Sequence, residues 1–306
     1  MEIPHAVLVG IWAVFGLVVG SFLNVCIYRL PLEGETVSKP RRSRCPSCKN
    51  ELTWRENIPV FSWLLLRGRC RFCGWRIPIR YPLVELLTAF LWGLSAHLAP
   101  EGGWDLAFVY VIVLSGLLVS TFVDFDHFEI PDEVSIGGMV LAPVASFLVP
   151  ALHEGTWVAQ RLSGGEGVDR FGALMGSLVG IAAGGGVLLA IGALGKRLYA
   201  REAMGFGDVK LLAAGGGFVG PGGALVALLV GAVIASVVGV LNMLRFLVLV
   251  RSRARVRGSK KSWSSALRVA RIAGRYLPFG PYLGIGIGIA LLDWNDVLRL
   301  WKELAL

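Results

Sequence analysis

Two short acidic segments carry the side chains best suited to chemistry. The first contains Asp124, Asp126 and Asp132, and the second, Gly205-Phe-Gly-Asp-Val-Lys, contains Asp208. Both border long apolar stretches, where a carboxylate is costly and usually functional. Two carboxylates held close together do not both ionise readily, so one keeps a proton while the other stays charged. Such a pair activates water against a peptide carbonyl.

The same segments allow other interpretations. Asp132 could cap the following helix, which would make the first segment an ordinary polar turn. Buried carboxylates also serve ion- or proton-coupled transporters, but Asn242 and Arg245 are among the few other polar residues expected near mid-depth. A non-enzymatic assembly scaffold would tolerate the loss of both aspartates. The residue pattern alone leaves a peptidase, a transporter and a scaffold open.

Four of the five cysteines form two C-x-x-C pairs, Cys45/Cys48 and Cys70/Cys73, with 21 residues between them. Each pair places two thiolates on one cation, so the spacing predicts a tetrahedral structural zinc site. Disulfides, or a redox or iron site, are the alternatives. A closed four-cysteine site leaves no position for a substrate, so its predicted role is to fold residues 29–80. Cys26 is predicted to be a small core residue.

Long apolar stretches must position these groups. Of 306 residues, 55% are hydrophobic and 17% charged, and the mean hydropathy is +0.66. This composition predicts an all-α, polytopic membrane helix bundle. We predict about eight spans, with Pro221 separating the sixth from the seventh: 6–27, 82–98, 105–123, 133–151, 170–194, 208–219, 222–250 and 278–293. The predicted domains are an uncleaved first span (1–28), the four-cysteine domain (29–80) and the membrane bundle (81–306).

Basic residues predict the orientation of the bundle. Residues 29–80 hold twelve Lys/Arg against four Glu, and residues 251–275 hold nine Lys/Arg and no acid. A third group comprises Lys196, Arg197, Arg201 and Lys210. The positive-inside rule places all three regions, and both acidic segments, on the cytoplasmic side.

Glycines at spacings of four predict close helix packing. Gly172, Gly176, Gly180 and Gly184 form a ridge on one helix face, and Gly16 and Gly20 do the same in the first span. Without side chains at these positions, a neighbouring helix is able to approach closely.

Six segments, in order, resemble the type IV prepilin peptidases, membrane aspartic proteases with a G-x-G-D motif. They are residues 16–31 (GLVVGSFLNVCIYRLP), the paired C-x-x-C motifs, residues 80–86 (RYPLVEL), the D-x-D…I-P-D segment, the G-F-G-D segment and residues 278–283 (PFGPYL). The resemblance runs nearly the whole length of the chain. Other intramembrane G-x-G-D proteases lack the paired C-x-x-C domain.

The resemblance implies that Asp124 and Asp208 are catalytic and that Asp126 and Asp132 support them. It implies cleavage after a glycine that removes the basic leader of type IV prepilins or secretion pseudopilins at the bacterial inner membrane, facing the cytoplasm. It also implies N-methylation of the new terminus by S-adenosylmethionine, although a preflagellin-type peptidase would not methylate. No nucleic-acid partner is expected.

The residues that bind the methyl donor are not identified by the sequence. No strand–G-x-G-x-x-G–helix unit is present, so a Rossmann-type site is not expected. Glu85 is a candidate contact, although a glutamate near a helix start also fits the helix dipole. The donor is expected to bind the four-cysteine domain or a membrane pocket.

Overall fold

The computed structural model describes residues 4–32, 34, 36–39, 42–100, 102–164, 167–199, 204–256 and 277–292. Within these ranges the chain forms helices and turns but no extended strand. Two 3₁₀ turns span Trp54–Asn57 and Pro150–His153. The helices are α1 His5–Arg29, α2 Phe61–Leu65, α3 Arg80–Leu98, α4 Trp104–His127, α5 Asp132–Leu148, α6 Trp157–Ser163, α7 Arg170–Tyr199, α8 Phe206–Val256 and α9 Gly280–Leu292.

Four of these helices, α1, α4, α7 and α8, are long and apolar enough to cross a bilayer. Many of their large apolar side chains are exposed, such as Phe15 and Val248, as expected where lipid is the solvent. The predicted polytopic, all-α membrane architecture is therefore confirmed. Each of the eight predicted segments holds a helix, but how many of them cross the bilayer remains a prediction.

The sixth and seventh predicted spans are two limbs of α8. Gly220 leaves the helical conformation, with φ 73° and ψ 176°, immediately before Pro221. Proline lacks the N–H needed inside a helix, so the break falls where the sequence predicted it. Residue 293, Arg201 and most of the basic stretch 251–275 lie outside the described residues.

Helices α1 and α3 pack closely through the predicted glycines. A Cβ atom on Gly16 would lie 2.8 Å from the Ala89 Cα, and one on Gly20 would lie 2.7 Å from the Glu85 Cα. Cys26 is buried in the same cluster, which confirms its predicted role as a core residue. This contact holds the ends of α1 and α3 together where the four-cysteine segment (residues 42–78) joins them.

The glycine ridge of α7 packs as predicted. A Cβ atom on Gly180 would collide with the backbone of Gly216, and one on Gly184 with the carbonyl of Leu212. The Gly172 and Gly176 positions face Ala159 and His153 instead. The ridge thus presses α7 against the first limb of α8, which carries Asp208 at its start.

The main core joins α4, α5, α7, α8 and α9. Its members include Leu188, Leu212, Leu283 and Ile287, all 1% exposed or less. This packing brings the end of α4 and the starts of α8 and α9 to the same end of the bundle.

Candidate active site

Asp124 and Asp208 line one cavity of about 460 Å³. Asp124 lies in the last turn of α4 and is only 5% exposed. Asp208 lies in the first turn of α8, close enough to Asp124 for a direct electrostatic interaction. The two acidic segments, far apart in the sequence, therefore meet at one end of the bundle.

The start of α9 orients Asp124. The backbone N–H of Gly280 donates a hydrogen bond of 2.9 Å to its Oδ2 atom. A Cβ atom on Gly280 would lie 2.6 Å from that oxygen, so only glycine fits without displacing the carboxylate. Ile130 packs between Gly280 and Gly207 and so connects the starts of α9 and α8 to the first acidic segment.

Asp126 and Asp132 each pair with a cation from another element. Asp126 forms an ion pair with Arg80 at the start of α3, and Asp132 forms one with Lys210 in α8. Asp132 is the first residue of α5, and the N-cap position is occupied by Pro131, which provides no side-chain capping bond. Asp132 and Lys210 line the same cavity as Asp124 and Asp208, whereas Asp126 and Arg80 do not. Among the described residues, neither Asp124 nor Asp208 has a cation partner.

The cavity is edged by apolar side chains. Leu30 and Pro31, just after α1, form one side. Phe128 and Phe206, 56% and 66% exposed, form another. Phe128 ends α4 in the left-handed conformation, with φ 57°. Apolar surface therefore lies beside the two carboxylates, next to the charged side chains that also line the cavity.

The four predicted cysteines converge. Their Sγ atoms all lie within 4.8 Å of one another, with Cys45 and Cys73 3.9 Å apart and Cys48 and Cys70 4.0 Å apart. A tetrahedral Zn–S distance of about 2.3 Å gives sulfur–sulfur separations of about 3.8 Å. A disulfide would need about 2.05 Å, and all four are free thiols. The cluster is therefore able to bind a metal ion.

Two matching turns present the thiols. In the first, Cys45 N–H donates to the Asn50 carbonyl and Lys49 N–H donates to the Cys45 carbonyl, both at 2.9 Å. In the second, Cys70 N–H donates to the Trp75 carbonyl at 2.8 Å, and Gly74 N–H donates to the Cys70 carbonyl at 3.0 Å. This repeat is the local structure expected of paired metal-binding knuckles.

The turns also adjust the acidity of the thiols. The backbone N–H of Cys73, followed by that of Phe72, lowers the pKa of Cys70 to about 7. Burial raises the pKa of Cys45 to about 11. Since a bound cation requires thiolates, metal binding would release protons from this cluster.

A second cavity, of about 420 Å³, lies between the four-cysteine segment and the ends of α1 and α3. Glu85 lines it and accepts a 2.7 Å hydrogen bond from the Val60 backbone N–H. Val60 has φ 62°, which is strained for a β-branched residue. Glu85 therefore holds this turn in place, which favours its structural interpretation.

The sequence did not predict several neighbours of these sites. Gly280, Ile130 and Arg80 all lie in segments that resemble the type IV prepilin peptidases. No local sequence pattern, however, indicates which residues they contact. Asn242 and Arg245 lie on the second limb of α8, where Arg245 is exposed. Arg245 therefore does not line an interior polar path of the kind that a transporter needs.

Known proteins resemble the chain along most of its length. Residues 14–98 match the family described as "Bacterial Peptidase A24 N-terminal domain", and residues 111–240 match the "Type IV leader peptidase family". The relatives below are each named "Prepilin leader peptidase/N-methyltransferase". No solved structure matches the chain.

The relative from Aeromonas hydrophila is 35% identical over 94% of this chain and 91% of its own length. The relative from Neisseria gonorrhoeae is 32% identical over 95% of this chain and 91% of its own length. The relative from Myxococcus xanthus is 40% identical over 76% of this chain, and that match spans 62% of the relative's length.

Proposed function

Because the chain belongs to the type IV leader peptidase family, we propose that it is a membrane aspartic endopeptidase that removes the basic leader of type IV prepilins or pseudopilins. Its substrates are expected to be cut after a glycine and then N-methylated at the new terminus. The single observation that carries the peptidase assignment is the shared cavity of Asp124 and Asp208. The names of the relatives support the choice of substrate.

In the proposed reaction the two aspartates share the acid–base work. The charged carboxylate takes a proton from water while the oxygen of that water attacks the scissile carbonyl carbon. The protonated carboxyl donates a hydrogen bond to the carbonyl oxygen, which becomes negatively charged. The C–N bond then breaks, and the leaving amine takes up the proton that the first carboxylate accepted from water. The Gly280 N–H holds the Asp124 carboxylate in one orientation throughout.

The apolar helix of the substrate is assigned to a neighbouring groove of about 710 Å³. The groove is lined mainly by apolar and glycine residues of α4, α5 and α8, and Glu133 lines both this groove and the acid cavity. A helix lying there would deliver the peptide at its end to Asp124 and Asp208. Membrane helices favour such glycine-lined contact surfaces.

The basic loops support a location in the bacterial inner membrane with the site facing the cytoplasm. Residues 29–80 hold twelve Lys/Arg, and the last of them, Arg80, pairs with Asp126 beside the acid cavity. The positive-inside rule assigns this end of the bundle to the cytoplasm, where S-adenosylmethionine and the substrate's basic leader are also expected.

Zinc is the metal proposed for the four cysteines. Four thiolates in near-tetrahedral arrangement suit Zn²⁺, and the closed set leaves no position for substrate. Cys45, Cys48, Cys70 and Cys73 would hold the ion, and its role would be to fold their segment rather than to catalyse.

Paired substitutions test the peptidase assignment. Asp124→Asn and Asp208→Asn should each lower cleavage of a purified prepilin by roughly 10²–10⁴-fold, as expected for the loss of an acid–base group. Asp105→Asn is the matched control because Asp105 lies in the first turn of the same helix α4, away from the cavity. Size-exclusion profiles in detergent report whether each variant folds.

A second assay separates cleavage from methylation. The same variants receive a mature pilin with a free N-terminus and S-adenosylmethionine with a labelled methyl group. We expect the Asp→Asn variants to methylate this substrate normally, since cleavage has been bypassed. Full cleavage by Asp208→Asn would refute the peptidase assignment, and no methyl incorporation by the wild type would refute the transferase assignment.

A further inference from the structure

The second cavity has the dimensions of a small-molecule site. Its volume of about 420 Å³ falls within the roughly 300–1,000 Å³ typical of such pockets. Its lining comes from three parts of the chain: α1, the start of α3 and the four-cysteine segment. Cys45 and Cys70 are among the lining residues, so a metal held there would shape one wall.

Two buried oxygens of the lining, Asn24 Oδ1 and Glu56 Oε1, have no hydrogen-bond partner among the described residues. Asn24, 5% exposed, uses its amide N–H to donate a 3.0 Å bond to the Tyr81 carbonyl. Glu56 uses its other oxygen to accept bonds of 2.8 and 2.9 Å from the N–H and hydroxyl of Thr53. Both unpartnered atoms are acceptors, so the groups that would satisfy them are hydrogen-bond donors.

The charges and rings of the lining narrow the ligand further. The Thr53 backbone N–H lowers the pKa of Glu56, which keeps a negative charge beside the cavity at neutral pH. Trp63 and Trp75 provide flat apolar surfaces, on which a base or a cation stacks favourably. The Trp63 ring is held by its Nε1–H, which donates a 3.1 Å bond to the Ile77 carbonyl. Three basic residues besides Arg29 also line the cavity, namely Arg44, Lys49 and Arg71. The lining therefore fits a nucleoside that carries both a cation and a carboxylate.

This cavity and the acid cavity lie on either side of the end of α1. Arg29 lines the first, and the next two residues, Leu30 and Pro31, line the second. Arg29 is buried, and its guanidinium donates a 2.9 Å hydrogen bond to the Val37 carbonyl. This bond ties the end of α1 to the segment that follows it. The two cavities therefore share the end of α1 as a common border.

We propose that this cavity is the methyl-donor site and binds S-adenosylmethionine, whose donor groups bond to Asn24 Oδ1 and Glu56 Oε1. The inference rests on the proposed function, because only a methylating enzyme needs this ligand. When bound, the ligand supplies a sulfonium methyl group: the new amine's lone pair attacks the methyl carbon, the C–S bond pair stays on sulfur, and the amine loses a proton. Asn24 and Glu56 hold and orient the ligand without reacting.

Direct binding of tritiated S-adenosylmethionine to the full-length protein in detergent tests the site. Glu56→Gln keeps the shape and an acceptor for Thr53 but removes the charge, so the dissociation constant should rise roughly tenfold or more. Asn24→Ala is a second variant that should weaken binding. Glu51→Gln is the matched control because Glu51 is an acid of the same segment that pairs with Arg42 and does not line the cavity.

Leader cleavage by the same preparations, measured separately, shows that each variant is folded. Weaker binding in Glu56→Gln and Asn24→Ala, with cleavage and the Glu51→Gln affinity unchanged, would support the site. Wild-type affinity in both variants, or displacement of the label by phosphatidylglycerol but not by S-adenosylhomocysteine, would overturn it. Loss of cleavage in the wild type would instead refute the proposed peptidase while leaving the binding result intact.

Discussion

Replacing Gly280 by alanine should impair cleavage by displacing one carboxylate. The added Cβ would lie 2.6 Å from Asp124 Oδ2 and 3.0 Å from Ile130 Cδ1, whereas ordinary contact begins at 3.4 Å. To bring the new Cβ atom and Asp124 Oδ2 to ordinary contact distance, the carboxylate and the start of α9 must move about 0.8 Å apart. This movement lengthens the 2.9 Å hydrogen bond from the Gly280 N–H to the carboxylate. The backbone itself tolerates alanine, because Gly280 is not among the residues with positive φ.

The expected loss follows from the size of that displacement. A misplacement of about 1 Å in a catalytic group costs on the order of 10²-fold in rate. A shift approaching this value should therefore lower kcat/KM for prepilin by roughly 10- to 100-fold, equivalent to about 1.4–2.7 kcal/mol. The lost rate should appear in kcat, because the groove assigned to the substrate helix is unchanged.

The assay is cleavage of a purified prepilin, followed by gel mobility over time at several substrate concentrations. Gly192→Ala is the matched control, since a Cβ at Gly192, also in a helix, meets nothing within 4 Å. Methyl-donor binding should be unchanged in both variants. A wild-type kcat in Gly280→Ala would show that the contact between α9 and Asp124 does not position the catalytic pair, and would refute this reasoning.

Three further predictions concern other parts of the structure. Asp126→Asn removes a partly exposed ion pair with Arg80. The cleavage rate should fall less than tenfold, and the free energy of unfolding should fall by at most about 1 kcal/mol. A loss of cleavage as large as in Asp124→Asn would instead assign Asp126 a catalytic role. Cys48→Ser should lose the zinc ion proposed for the four cysteines, as measured by elemental analysis, and should expose residues 42–78 to limited proteolysis. Cys26→Ala should keep the zinc content of the wild type, and equal zinc contents in the two variants would contradict the four-cysteine site. Gly137 lines the apolar groove, and a Cβ atom at this position would meet nothing within 4 Å. The Gly137→Phe variant should therefore fold normally, but its ring would obstruct the groove, so the KM for prepilin should rise several-fold. Gly192→Phe should leave the KM unchanged.

Much of the fold could be predicted because the relevant signals are local. Apolar stretches of about 20 residues identify membrane helices without knowledge of their neighbours. The break before Pro221 follows from the chemistry of that one residue, and the glycine ridge of α7 marks a contact face. Which helix would use the face was not predictable, because the partner, the first limb of α8, is chosen by the packing of the whole bundle.

The four-cysteine site could also be predicted from spacing, since each C-x-x-C pair is formed by one short turn and its ligands lie within a single segment. The second cavity beside it could not. Asn24 and Glu56 come from a membrane helix and a 3₁₀ turn, and only the packing of these two elements brings their oxygens to one cavity.

The sequence by itself determined which carboxylates were available and that they would border a membrane. Motifs indicated Asp124 and Asp208, and the cost of a carboxylate beside hydrocarbon favoured a functional role for both. Only the tertiary structure decided that they share a cavity, that Gly280 holds one of them, and that Arg80 and Lys210 pair with Asp126 and Asp132. Sequence patterns report relations within a turn or a helix, whereas these contacts join segments that meet only when α4, α8 and α9 pack together.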